Sequence, residues 1–83
     1  MNITIRYFAS LREALGDSEA LELPAGTTVG QLRDRLLARG EPHAAVLARG
    51  RAVRCALNKT MCGEDALITD GAEIAFFPPV TGG

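Results

Sequence analysis

The chain has 83 residues, 47% hydrophobic and 23% charged, and nine Lys and Arg against ten Asp and Glu leave a net charge of -1 at pH 7. That length builds one domain, since independent cores rarely come smaller than about 50 residues. The charge balance excludes a nucleic-acid binder that rests on a positive field. No apolar run approaches the roughly 18 to 20 residues of a membrane span. The start, Met1-Asn2-Ile3-Thr4-Ile5-Arg6, has no basic segment followed by a long apolar one, so no signal peptide is expected. A reduced, cytoplasmic protein is the expectation. Cys55 and Cys62 match neither a Cys-x-x-Cys pair nor a zinc knuckle. His43 is the only histidine, which leaves no metal site and no Ser-His-Asp set. So small a domain has little room for a deep cleft beside its core, and an enzyme acting alone is disfavoured.

Residues 2–8 alternate, with Ile3, Ile5 and Tyr7 on one face and Asn2, Thr4, Arg6 and Phe8 on the other. That is a half-buried strand. Residues 9–15 switch to helical spacing, with Leu11 and Leu15 four apart and Gly16 at the stop. Glu19 to Leu23 reads as a second strand and Pro24-Ala25-Gly26 as a turn. Thr28 and Gln31 have the spacing of a capping box. Behind them Val29, Leu32 and Leu36 repeat on one face of a helix that Gly40 and Pro42 end. The run Arg33, Arg35, Arg39 reads as that helix's wet face. Residues 43–49 do not decide between a turn of helix and a loop, and His43 reads as a surface residue.

Val53, Cys55 and Leu57 fall on one face of a third strand. Asn58-Lys59 makes a hairpin turn into a short fourth strand, Thr60-Met61-Cys62. Such a turn sets Cys55 opposite Cys62, but as the hydrogen-bonded kind of pair and in an expected reducing compartment, so a disulfide is not expected; Cys55 reads as a small buried apolar residue. Lys59, the only lysine, reads as a solvated turn residue. Asp70-Gly71 is a turn, and Glu73 to Phe77 alternates again, with Ile74 and Phe76 on one face. One sheet of about five strands buries one face only if the long helix lies across it, an α+β layering. Parallel first and last strands, allowed by their long connection, make it a β-grasp. The domain spans residues 1–77, with 78–83 a flexible tail.

Pro78 and Pro79 end the last strand because neither donates a ladder hydrogen bond. They bias the residues beyond them toward an extended form. Six residues beyond Phe77 reach roughly 20 Å at 3.3 Å each. Gly82 and Gly83 carry no side chains, so the tail of Pro78, Pro79, Val80, Thr81, Gly82 and Gly83 is thin enough to thread a narrow tunnel and present its terminal carboxylate.

The ending Phe76-Phe77-Pro78-Pro79-Val80-Thr81-Gly82-Gly83, preceded by Leu67-Ile68-Thr69-Asp70-Gly71-Ala72-Glu73-Ile74-Ala75, resembles the small, sulfur-carrier subunits of molybdopterin synthase. Ala56-Leu57-Asn58-Lys59-Thr60 and Tyr7-Phe8-Ala9-Ser10-Leu11-Arg12-Glu13 resemble them too. These belong to the ubiquitin-like sulfur carriers. The resemblance implies that an E1-like adenylyltransferase uses ATP to activate the Gly83 carboxylate. A sulfur donor protein then converts it to a thiocarboxylate. It implies a large synthase subunit as partner, in a heterotetramer of two small and two large subunits, where sulfur passes to the pyranopterin precursor of the molybdenum cofactor. No cofactor is bound by the chain itself. Two rival readings are a carrier for another acceptor, in a thiazole, tRNA or amino-acid pathway, and a ubiquitin-like interaction module with an inert tail.

Strand parity gives the docking expectation. With Ile3, Ile5 and Tyr7 facing the helix, Phe8 points off the other side of the sheet, as do Phe77 and Met61. Contiguous apolar patches mark binding surfaces. Phe8, Met61 and Phe77 are therefore the expected anchor for the large subunit.

Overall fold

The computed structural model describes residues 1–79. In chain order it contains β1 (Asn2–Tyr7), α1 (Ala9–Leu15), β2 (Ser18–Glu22), α2 (Val29–Leu37), α3 (His43–Leu47), β3 (Arg54–Leu57), β4 (Thr60–Cys62) and β5 (Glu73–Phe77). The strands form one five-stranded sheet in the order β2-β1-β5-β3-β4. β1 and β5 run parallel, with Ile5 beside Ile74 and Tyr7 beside Phe76. Every other pairing is antiparallel. This is the mixed sheet of a ubiquitin-like β-grasp.

The alternation in β1 and β5 sends Ile3, Ile5, Tyr7, Ile74 and Phe76 to the helical side, where all are buried. Val29, Leu32 and Leu36 meet them from α2 in one cluster. Burying a leucine fully contributes about 2 kcal/mol, so this stripe holds the helix on the sheet. α2 starts on the expected capping box: Thr28 Oγ1 accepts from the Gln31 N–H and Gln31 Oε1 accepts from the Thr28 N–H. Just beyond, the Gly30 N–H donates to Glu64 O at 2.8 Å. A Cβ on Gly30 would lie 3.2 Å from that same oxygen, so a side chain there pushes the 63–65 loop away.

The helical layer corrects one expectation. It is not a single long helix: α2 has nine residues and shares the covering with the seven-residue α1 and the five-residue α3. α2 cannot run further because Gly40 takes a left-handed conformation, φ +85°, and Pro42 follows. Leu11 of α1 and Leu47 of α3 complete the lid over the core. Residues 43–47, ambiguous in the sequence, are helical.

Candidate functional site: the open sheet face at the end of β5

β5 lies at the centre of the sheet, so the chain beyond Phe77 leaves from its most supported strand. The parallel register continues one step past β1, where the Phe8 N–H donates to Phe76 O at 3.1 Å. Phe8 and Phe77 thus end two neighbouring strands. Phe8 is extended, φ -128°. The pivot is Ala9, which at φ +53° turns the chain into α1, a left-handed conformation that costs a residue with a Cβ about 1 kcal/mol.

The outward face is built from alternate residues of four strands. Phe77 stands opposite Arg54; Ala75 lies between Arg6 and Ala56; Ala56 stands opposite Met61. Phe8 is 40% exposed and Met61 59%, as strand parity requires. Phe77 is half-buried. Ala75 and Ala56 between them make a shallow floor, with Ala56 itself buried. Pro78 and Pro79 are half-buried and continue from Phe77. Val80, Thr81, Gly82 and Gly83 lie outside the described residues.

Arg6 belongs to this face, which sequence reasoning did not single out. Its guanidinium carbon lies 5.6 Å from the Phe8 ring centroid, a cation–π contact. Its Nε is buried without an acceptor among the described residues. A buried donor without a partner costs about 1 to 3 kcal/mol. The signal was available: Arg6 shares the parity of Phe8, but a charged residue on an outward face reads as solvated.

Three other clusters sit away from this face. Arg33 is not on a wet face, as its charged neighbours suggested. It is 4% exposed, with Nε on Leu47 O at 2.7 Å, Nη2 on Ala48 O at 2.7 Å and Arg51 O at 3.1 Å, and Nη1 on Glu64 Oε2 at 2.7 Å. Arg49 also reaches Glu64, together with Asp34. His43 is likewise no free surface residue. It joins Glu19, which accepts from the Tyr7 hydroxyl at 3.0 Å and from Arg39 at 2.6 Å, with His43 Nε2 at 3.4 Å. Burial, then the Glu19 charge, pushes the Tyr7 hydroxyl far above its ordinary range. Cys55 and Cys62 oppose each other as expected and are free thiols. No group of three or more His, Cys, Asp or Glu among the described residues could hold a metal. No helix among them is long and apolar enough to cross a membrane.

Known proteins resemble this chain over nearly its whole length. Residues 5–83 match the ThiS family. The molybdopterin synthase sulfur carrier subunit of Escherichia coli K12 is 42% identical over 82 residues, covering 98% of this chain and 99% of that one. The subunit of the same name from Haemophilus influenzae is 35% identical over 82 residues, with the same coverage of 98% and 99%. Among solved structures, SAMP1 from Haloferax volcanii superposes over 100% of both chains with a TM-score of 0.78 at 25% identity.

Proposed function

The chain belongs to the ThiS family, and from that premise we propose that it is the sulfur-carrier subunit of a molybdopterin synthase, a protein cosubstrate whose reactive group is its own terminal carboxylate. One observation carries the reading. A chain 42% identical to a sulfur carrier subunit over 98% of its length carries Gly82-Gly83 shortly after a strand at the centre of the sheet.

A free α-carboxyl has a pKa near 3.5, so at neutral pH Gly83 ends in an anion, a poor electrophile. An E1-like adenylyltransferase would make the acyl-adenylate from ATP, with loss of pyrophosphate. A sulfur donor protein would then displace AMP and leave a thiocarboxylate. Residues 78–83 would act as the tail, with Pro78, Pro79, Val80 and Thr81 spanning the partner's entrance and Gly82 passing its narrowest point. The side chains that catalyse transfer to the pyranopterin precursor would belong to the large subunit.

Phe8, Met61 and Phe77 would anchor that subunit, two small subunits serving two large ones. Exposed Phe8 and Met61 beside half-buried Phe77 support this face as the contact, since contiguous apolar patches mark binding surfaces. The test is deletion of Gly83. Intact mass should show no exchange of oxygen for sulfur after incubation with the adenylyltransferase, ATP and a sulfur source. Unfolding stability should stay within about 0.5 kcal/mol, as expected for a change outside the core. Full sulfur transfer by the shortened chain would overturn the proposal. Capture of the large synthase subunit by the intact chain separates this carrier from one serving another acceptor.

A further inference from the structure

The two-residue Asn58-Lys59 turn pairs Leu57 with Thr60 and, two steps down the ladder, Cys55 with Cys62. Their Sγ atoms lie 3.8 Å apart, and Cys55 Sγ donates to Cys62 O at 3.3 Å. A hydrogen-bonded cross-strand pair holds its Cα atoms about 5.5 Å apart, inside the span of about 4.4 to 6.8 Å that a disulfide bridges. The Cβ atoms of such a pair lie about 5.5 Å apart, against about 3.5 to 4.5 Å in a disulfide. The two thiols therefore join only if the short edge strand β4 draws in toward β3, and the bridge so formed is strained and readily reduced. They also differ in access: Cys55 is buried, while Cys62 is half-buried on the three-residue edge strand β4. Burial, reinforced by Cys62, pushes the Cys55 thiol well up, so the first attack falls to the more accessible Cys62.

We propose that Cys55 and Cys62 form a reversible dithiol–disulfide site that reacts with low-molecular-weight disulfides of the glutathione class. The Cys62 thiolate attacks one sulfur of glutathione disulfide, breaking that S–S bond and releasing one glutathione thiolate. Cys55 then gives up its proton and attacks the Cys62 sulfur of the mixed disulfide, releasing the second glutathione. Two electrons pass from the cysteine pair to glutathione disulfide, and the two thiol protons end on the two glutathiones. The bridge ties edge strand β4 to β3. Because Met61 lies between Thr60 and Cys62 on the opposite face, the redox state sets how firmly one corner of the open face is held.

The experiment equilibrates the full chain in glutathione buffers from reducing to oxidising, quenches it in acid, alkylates free thiols and reads the intact mass. The wild type should lose two hydrogen atoms, take no alkyl group, and return to the dithiol when dithiothreitol is added. The bridged fraction should not change with protein concentration. Cys55→Ala should stop at one glutathione on Cys62, and Cys62→Ser should stay unmodified. A wild type that accumulates the glutathione adduct, that bridges between chains, or that remains alkylated at both thiols throughout would overturn the proposal.

Discussion

Arg33 shows how much one side chain can hold. Three carbonyls from residues 47–51 and the Glu64 carboxylate converge on a single guanidinium, whose planar fork suits several acceptors at once. Arg33→Ala should strand those carbonyls and cost about 3 kcal/mol, seen as a lower urea midpoint at unchanged slope. Nothing local announces this. The acceptors lie 14 to 18 residues along the chain, and a residue between Leu32 and Asp34 reads as one more charge on a helix flank. Phe77 is the opposite case, since strand parity alone turned it to the open face. Phe77→Ala should weaken association with the large subunit by about 2 kcal/mol if it is a central anchor, while the isolated chain keeps its fold. Titration calorimetry beside a thermal melt separates the two effects, and unfolding of the free chain would assign Phe77 to the core instead.

Elements whose signals are local were legible. The capping box at Thr28 and Gln31 needs only a three-residue spacing, and the strands need only alternation. α3 was not, because five residues are too few to establish a helical period. The Asn58-Lys59 turn was placed correctly, and its geometry yields a prediction. Both residues are left-handed, φ +49° and +69°, the signature of the type I′ turn that favours Asn-Gly. Asn58 is well used there, its Oδ1 accepting from the Glu73 N–H at 2.9 Å. Lys59 has no such bond among the described residues. Lys59→Gly should remove Cβ strain at some cost in unfolded-chain entropy, for a net gain of about 0.5 kcal/mol. A higher thermal midpoint for the variant checks it.

At the scale of the whole molecule, two carboxylates link distant parts of the chain. Glu19 joins β2 to β1, α3 and the end of α2; Glu64 joins the loop after β4 to α2 and the segment after α3. Burial raises both carboxyls, but hydrogen bonds win and hold them below the ordinary range: Arg39 and Tyr7 at Glu19, Arg49 and Arg33 at Glu64. A carboxyl depressed in the folded state stabilises fully above its unfolded pKa, about 4.3 for Glu. That stability is lost as pH falls through the folded value. The urea midpoint should therefore hold steady from about pH 7 to 5 and fall below about pH 4. Glu19→Gln with Glu64→Gln should start lower and lose much of that acid limb. An acid limb as steep as wild type would place the titrating groups elsewhere.

The strand order β2-β1-β5-β3-β4 also dictates when the fold can exist during synthesis. β5 is the last of the described strands to be made and the middle one in space. Until it emerges from the ribosome, β1–β2 and β3–β4 are two separate strand pairs, each with an unsatisfied edge where β5 belongs. Isolated strand pairs are marginal in water, and open edges invite pairing with other chains. A message or chain cut short before Glu73 should therefore yield a product for proteolysis, not a partly stable fold. Any molecule that folds has been translated through Phe77, so the fold itself screens out copies cut short before β5.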